Sequence, residues 1–314
     1  MTAVQPRKGA KPRPPQGAIP GFARVLVATD FQLDGDRAVR RVGRLPLSPN
    51  ATVVIAHVLP SGIAASAASV VSGAAEVELD GARAKLADLL DRRGRRDVLI
   101  RTRLARGDAA TEIARAAQVN AVDLIVVGRG RSRLSGTFLG STAQRVARRA
   151  RMPVLLVRQP PTAPYRRVVL GFDPSPDALS AARLTLRMTA GKGTVFVVHA
   201  YHDPRAELAP TLVKSVAKAR WRTFAPELAE QAQRIRRMLQ AVGGAARRWS
   251  LSFKGGDPRR RLLEAVRAKR CDLVVVGSRS RRGVARLVLG SVAEAVLNRA
   301  PCDVLISPRR RWVG

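Results

Sequence analysis

The sequence repeats itself, and this internal duplication constrains the fold more than any other feature. Four landmarks of the first half return in the same order about 142–150 positions later. They pair Asp30 with Asp173, His57 with His199, Gly107-Asp108 with Gly256-Asp257, and Gly140-Ser141 with Gly290-Ser291. The spacing drifts only between landmarks, as it does when loops acquire small insertions. The 314 residues therefore hold two copies of one unit, each large enough to bury its own core.

Within each copy, short β-branched apolar runs alternate with helix-like segments. In the first copy the runs are residues 24–30, 52–58, 97–107, 122–127 and 153–157, and the second copy repeats the pattern over 167–307. Continuous apolar strands that alternate with helices predict a parallel sheet covered on both faces. The expected fold class is α/β, with two doubly wound, mainly parallel five-stranded sheet domains that are Rossmann-like.

The domain boundaries follow from composition. We expect a disordered basic tail over 1–20, a first domain over 21–158, a proline-rich linker over 159–165, a second domain over 166–308 and a basic tail over 309–314.

The N-terminal stretch lacks the apolar segment of a signal peptide, and no apolar run is long enough to cross a bilayer. The sequence thus predicts a cytoplasmic chain without a membrane span.

The charge is strongly positive, at +34 from 57 Lys and Arg against 23 Asp and Glu. Such a field attracts polyanions. Nucleic-acid-binding surfaces usually add exposed aromatic rings, but aromatics are only 4% here and do not interleave with the arginine runs. Two interpretations stay open: a functional basic surface for nucleic acid or an acidic protein, and a general preference for arginine.

The two cysteines are too few for a disulfide framework or a thiolate metal site. Cys271 and Cys302 each precede an apolar run, so we expect buried, inert thiols. If those runs form neighbouring strands, the thiols lie close together, and a redox link is the alternative.

A glycine-rich segment follows the fourth strand of each copy. The first copy carries Gly128, Gly130 and Gly140-Ser141-Thr142, and the second carries Gly277 and Gly290-Ser291-Val292. Ligands of open parallel sheets bind at the carboxyl ends of strands. There, glycine backbone without side chains leaves room for a phosphate, and the N–H groups of a helix N-terminus donate hydrogen bonds to it. The segments lack the lysine of a Walker A loop and follow the wrong strand for a dinucleotide fingerprint. The alternative is that the glycines only turn the chain and the serines cap helices.

These motifs resemble those of the universal stress proteins. Nucleotide-binding members of that family carry Gly-x2-Gly-x9-Gly-(Ser/Thr) after the fourth strand, an Asp ending the first strand and His-Val ending the second. The first copy departs by one residue between Gly128 and Gly130, and the second has Ser280 for the second glycine and Ala200 for the valine. The resemblance covers nearly the whole chain apart from the N-terminal tail and implies a tandem member.

The resemblance also implies roles for individual residues. Asp30 would lie beside the ribose and adenine, Val58 would offer its backbone to the adenine, and the glycines would follow the ribose and phosphates. The implied nucleotide contacts are Asp30, Val58, Gly128, Gly130, Gly140, Ser141 and Thr142 in the first copy, and Asp173, Gly277, Gly290, Ser291 and Val292 in the second. We expect the first copy to be the better site, because its glycines keep the backbone bare. Asp30 and Asp173 have a second interpretation, as residues that cap the next turn.

The expected function is an ATP-binding stress-response module in which nucleotide regulates partner contacts or assembly, with Mg²⁺ held mainly by the phosphates. The alternative is a nucleotide-free scaffold or a basic nucleic-acid-associated protein. We expect packing roles for His57 and His199, no catalytic cluster, and at most slow ATP hydrolysis. Two joined copies can pair as an intramolecular pseudo-dimer, and a homodimer stays open.

Overall fold

The structure is a computed structural model of the chain. It describes residues 19–62, 64–130, 141–189, 193–203, 214–243, 249–278 and 289–308. The expected tails lie outside the described residues, except for positions 19 and 20.

The strands of the described ranges form one sheet. They are β1 (Phe22–Ala28), β2 (Leu47–Leu59), β3 (Leu99–Arg106), β4 (Leu124–Gly128), β5 (Val154–Val157), β6 (Arg167–Gly171), β7 (Thr194–Tyr201), β8 (Trp249–Gly255), β9 (Leu273–Gly277) and β10 (Asp303–Ser307). Their order is β3-β2-β1-β4-β5-β10-β9-β6-β7-β8. All neighbours are parallel except β5 and β10. The predicted α/β class with five parallel strands in each half is confirmed.

Helices cover both faces of this sheet. They are α1 (Leu33–Val42), α2 (Ala65–Asp91), α3 (Ala109–Val119), α4 (Ser141–Arg149), α5 (Pro176–Met188), α6 (Lys214–Gly243), α7 (Pro258–Ala268) and α8 (Ser291–Arg299). One core lies between the strands and α1, α2, α5 and α6, and the other lies beneath α3, α4, α7 and α8. No helix among the described residues is long and apolar enough to cross a membrane.

Local sequence explains where several helices begin. Asp108 caps α3 by accepting a hydrogen bond from the backbone N–H of Thr111 at 3.0 Å. Hydrogen bonds from the Thr111 hydroxyl and amide, with help from Arg145, lower the pKa of Asp108 to about 2. Ser175 and Asp257 cap α5 and α7 in the same way, each followed by a proline at the helix start.

The two halves join through the antiparallel pair β5 and β10, in which Leu155 lies opposite Leu305. Helices α4 and α8 meet beside this junction, where the Gln144 side-chain amide donates to Asn298 at 2.9 Å. Arg148 and Glu294 form an ion pair across the same boundary at 2.6 Å. Because the strand direction reverses at the junction, the carboxyl ends of the two sets of strands lie at opposite edges of the sheet.

A buried carboxylate ties the linker to this junction. Asp303, at the start of β10, is fully buried and accepts hydrogen bonds from the backbone N–H groups of Arg158 and Gln159 at 2.7 and 3.0 Å. Its second oxygen accepts the Tyr165 hydroxyl at 2.6 Å and lies 3.3 Å from Nε of Arg41. The Arg41 guanidinium also stacks on the Tyr165 ring at 4.3 Å. One acidic side chain thus fixes the linker against both halves.

Burial sets the protonation of groups near the junction. It raises the pKa of Tyr165 well above its ordinary value, so this hydroxyl stays a donor. Cys271 and Cys302 precede the adjacent strands β9 and β10, and both are buried free thiols. Burial raises the pKa of Cys271 to about 12 and also raises that of Cys302. Both side chains therefore stay neutral thiols, which fits the expectation of inert cysteines.

The junction carboxylate gives a stability prediction. Asp303→Asn leaves the Arg41 guanidinium, which is 4% exposed, without its counter-charge. Removing one partner of a buried ion pair costs about 3–5 kcal/mol, and we expect the free energy of unfolding in urea to fall by that amount. The control is Asp88→Asn, which breaks an exposed pair with Arg92 and should cost far less. Equal losses in the two variants would contradict the assigned role.

Candidate functional site

Each half of the sheet has a cavity where its strand order reverses. In the first half the order changes between β1 and β4, and in the second between β6 and β9. At such a point the loops leave the sheet in opposite directions, so the carboxyl ends of the strands border a crevice. The two cavities have volumes of about 210 Å³ and about 320 Å³.

The first cavity lies at the ends of β1, β2 and β4. Its wall includes Asp30, Val58, Gly128, Gly130 and Thr142, all of which the sequence singles out. Asp30 accepts a hydrogen bond from the backbone N–H of Gln32 at 3.1 Å, as a turn-capping residue does. The structure thus supports the capping role of Asp30 and also places the residue at the cavity.

Two glycines of this site are required by contacts within the protein. A Cβ on Gly128 would lie 2.3 Å from the carbonyl oxygen of Asp34 in the first turn of α1. A Cβ on Gly35 would lie 2.6 Å from Oδ1 of Asp30 and 2.7 Å from Oγ1 of Thr29. All three distances are shorter than a Cβ atom can approach another heavy atom. Helix α1 therefore packs backbone to backbone on the end of β4, and Gly128 serves this packing.

An arginine supplies positive charge to the first cavity. Arg129 lies between the two glycines and lines the wall, with its Nε 3.8 Å from Oδ2 of Asp34. Arg37 pairs with the other oxygen of Asp34 at 3.1 Å. Because the buried Asp34 already has Arg37 as a partner, Arg129 can turn toward an anion without leaving that carboxylate unpaired.

The histidines have structural roles in both halves. His57 hydrogen-bonds through Nδ1 to the backbone oxygen of Thr29 at 2.8 Å, and its ring stacks 4.2 Å from that of Phe31. His199 makes the equivalent bond to Phe172 at 2.9 Å. Since a carbonyl only accepts, Nδ1 is the donor in each case. Among the described residues no carboxylate orients either ring as it would a catalytic base, and the two carbonyl bonds anchor both rings at the strand ends.

The second cavity is larger and more apolar than the first. Its wall includes the side chains of Phe172, Val198, Leu262, Val276 and Val292. The polar residues that line it are Asp173, Ser175, Asp177 and His199. Oδ1 of Asp173 accepts a hydrogen bond from the Ser175 hydroxyl at 2.5 Å, again beside a helix start. The larger cavity therefore lies in the half that the sequence makes the weaker candidate.

Helix α8 begins at this cavity without a side-chain cap. The residue before it is Gly290, in an extended conformation, and the backbone N–H of Gly290 donates to Ser278 at 2.7 Å. Gly290, Val292 and Ala293 line the cavity. Helices α3, α5 and α7 begin instead with a capping side chain. Within the described ranges no side chain caps α8, so its positive dipole end and its first backbone N–H groups can meet a ligand there.

The structure brings most of the predicted residues to the two cavities, but not all of them. Asp173, Gly277, Gly290 and Val292 line the second one. Ser291 lines a separate groove between α7 and α8. Gly140 lies outside the described residues, and Ser141 is described only as the first residue of α4.

Sequence reasoning missed Gly35, Arg129, Ser175 and Asp177 as residues of the cavity walls. Gly35 had a usable signal, since a glycine in the first turn of a helix often marks a close backbone approach. Arg129 had none, because arginines are frequent throughout this chain.

Two glycine-to-alanine substitutions test the packing role of Gly128, because they should change the free energy of unfolding in opposite directions. Gly128→Ala forces α1 away from β4 and should lower the free energy of unfolding by about 1–3 kcal/mol. Gly73→Ala, in α2, adds a methyl group with nothing within 4 Å and should raise it by up to about 1 kcal/mol. Urea unfolding measures both. If Gly128→Ala is as stable as the wild type, the close approach of Asp34 is wrong.

Comparisons with known proteins agree with this architecture. The model of the universal stress protein family matches residues 21–158 and 164–308. A universal stress protein of Thermus aquaticus is 29% identical over 143 residues, covering 45% of this chain and 98% of that protein. Another, from Mycobacterium tuberculosis, is 29% identical over 197 residues and covers 59% of each chain, less than two thirds of that relative.

A solved structure shows the same fold over almost the whole chain. The crystal structure of a universal stress protein from Archaeoglobus fulgidus aligns with a TM-score of 0.65 at 18% identity, covering 92% of this chain and 99% of that one.

The repeated cavities, the tandem halves and the two family matches lead to one conclusion. The chain belongs to the universal stress protein family and carries two of its units in tandem.

Proposed function

We propose that this chain binds ATP at the two cavities and that nucleotide occupancy regulates its partner contacts or its assembly in a stress response. The observation that carries the proposal is the uncapped start of α8 at the mouth of an apolar cavity. A helix N-terminus favours phosphate, and an apolar crevice at the strand ends favours a nucleobase. The two features are adjacent, as the two ends of a nucleotide require.

In the second half, the proposed site divides into an apolar part and an anionic part. Phe172, Val198 and Leu262 would enclose the base, and the carboxylate of Asp173 would accept hydrogen bonds from the ribose hydroxyls. The phosphates would lie at Gly290 and the first backbone N–H groups of α8. The volume of about 320 Å³ is at the lower end of the range of small-molecule sites, which suits a base and ribose with the phosphates outside.

In the first half, the equivalent cavity has a smaller volume, and the positively charged side chain of Arg129 lines it. Asp30 and Val58 would contact the ribose and adenine, and Arg129 would face the phosphates with Thr142. Among the described residues, no group of three His, Cys, Asp or Glu side chains could hold a metal ion. The proposal therefore assigns Mg²⁺ to the phosphates of the nucleotide, and it assigns no side chain to hydrolysis.

A negatively charged side chain placed before α8 tests the proposal that ATP binds there. Gly290→Asp places a carboxylate where the backbone is already extended, so it should cap α8 without loss of stability. The same carboxylate would repel the phosphates of ATP. By isothermal titration calorimetry, we expect the variant to lose the site in the second half and to keep that in the first.

Two comparisons separate charge from shape. Gly290→Asn has nearly the same size without the charge and should retain more ATP binding than Gly290→Asp. Adenosine carries no phosphate, so Gly290→Asp should weaken its binding much less than that of ATP. An absence of ATP-dependent heat in the wild type, or equal heat in the wild type and Gly290→Asp, would contradict the proposal.

The same titrations address the alternative function. A nucleotide-free, nucleic-acid-associated protein would give no heat with ATP but would bind nucleic acid with an affinity that falls steeply as salt rises. The structure offers cavities with apolar walls at both switch points, and this observation favours the nucleotide.

A further inference from the structure

Helix α2 exposes an apolar stripe to solvent. Its inner side is buried through Ala75, Leu79, Leu86 and Leu90. Its outer side consists of the exposed residues Val70, Ala74, Val77, Gly81 and Ala84, which we call the outer stripe of α2. Val70 and Val77 are each 73% exposed, and a Cβ on Gly81 would have nothing within 4 Å. A surface helix normally presents polar residues on this side, so an apolar outer stripe indicates a surface that another element covers.

Acidic side chains flank the outer stripe. The helix carries five carboxylates against Arg83 and Lys85, although the chain as a whole has a net charge of +34. Glu78 and Asp80 lie on the two sides of the stripe, and both are exposed. Glu78 makes no ion pair with any residue that the structure describes. The surface around Val77 is therefore a local negative region on a positive protein.

Helix α6 occupies the equivalent place in the second half and has the opposite charge. Its described side chains include the exposed Lys218, Arg220, Arg222, Arg234, Arg236 and Arg237, against Glu227 and Glu230. The buried residues of α6 are Ala232, Ile235 and Leu239. The opposite, outer side carries Glu230, Arg234 and Arg237, and Arg222 and Arg236 lie on one flank of it. The aliphatic stems of arginine cover apolar surface while their heads pair with carboxylates. The outer side of α6 thus complements the outer stripe of α2 in both respects.

The positions of the two helices prevent them from meeting within one chain. Helix α2 packs on β2 and β3 at one end of the sheet. Helix α6 packs on α5 toward the other end, where its Gln231 side chain lies 3.3 Å from Nε2 of His199 in β7. Both cover the same face of the sheet. They have 27 and 30 residues, so each spans roughly 40 Å at about 1.5 Å per residue. Two long, complementary helices at opposite ends of a molecule suit a head-to-tail contact between copies.

We propose that copies of this chain associate head to tail, with the outer stripe of α2 in one copy against the outer side of α6 in the next. The contact is heterologous, so repeated copies form a ring if the rotation between them closes and an open filament if it does not. It is distinct from the β5 and β10 junction inside the chain, and no described residue of either helix lines the two cavities.

Sedimentation velocity of the full chain tests the proposal with two charge-reversed variants. At roughly 50 mM salt, the wild-type mass should rise with concentration above the 33.8 kDa of one chain, and roughly 1 M salt should reduce it. Glu78→Lys with Asp80→Lys, and separately Arg236→Glu with Arg237→Glu, should each remain single chains. A mixture of the two variants should associate again, because each supplies the charge that the other lacks. Val77→Lys should also prevent association.

The control reverses two arginines elsewhere. Arg267→Glu with Arg299→Glu changes the net charge as much as the α6 variant does, on exposed positions of α7 and α8 at the opposite face. It should associate like the wild type. The proposal is overturned if the wild type stays a single chain or if the control loses association as the α6 variant does. It is also overturned if association survives in the α6 variant, which would place another element, such as a second α2, on the stripe.

Discussion

The antiparallel pairing of β5 with β10 is the contact on which the rest of the arrangement depends. It turns two five-stranded sheets into one of ten strands, and it brings α4 against α8. The reversal of strand direction at this point places the two cavities at opposite edges of the sheet and α2 and α6 at its opposite ends. Asp303 reinforces the junction, because its buried carboxylate holds the linker and faces Arg41 of the first half.

The two copies share a crevice at the same place in the fold, but different side chains line it in each copy. Both cavities lie where the strand order reverses, which is a property of the chain topology. Their walls differ because side chains differ: Arg129 and Gly35 border the first, whereas Phe172 and Leu262 border the second. The two halves can therefore differ in their affinity for one ligand class without any difference in fold.

Sequence patterns predicted the strands and helices well because the apolar runs of the central strands β4, β5, β9 and β10 are buried on both faces, as in a covered parallel sheet. They also pointed to the carboxyl ends of the strands, where Gly128 and Gly277 line the two cavities. They could not predict why a given glycine is needed. Gly128 was interpreted as room for a ligand, yet the backbone that approaches it belongs to Asp34, nearly a hundred positions earlier. Contacts between distant segments leave no periodic signal in the chain.

By itself, the sequence determined the duplicated unit, the alternation of strands and helices, and the positions of the glycine segments, because these depend on local composition and on order along the chain. The tertiary structure alone decided how the halves join, which half has the larger cavity, and which helix keeps an uncapped start at that cavity. It also decided that the acidic α2 and the basic α6 lie at opposite ends of one face. Such features arise from packing between segments far apart in sequence, where small differences in side-chain volume and charge determine the outcome.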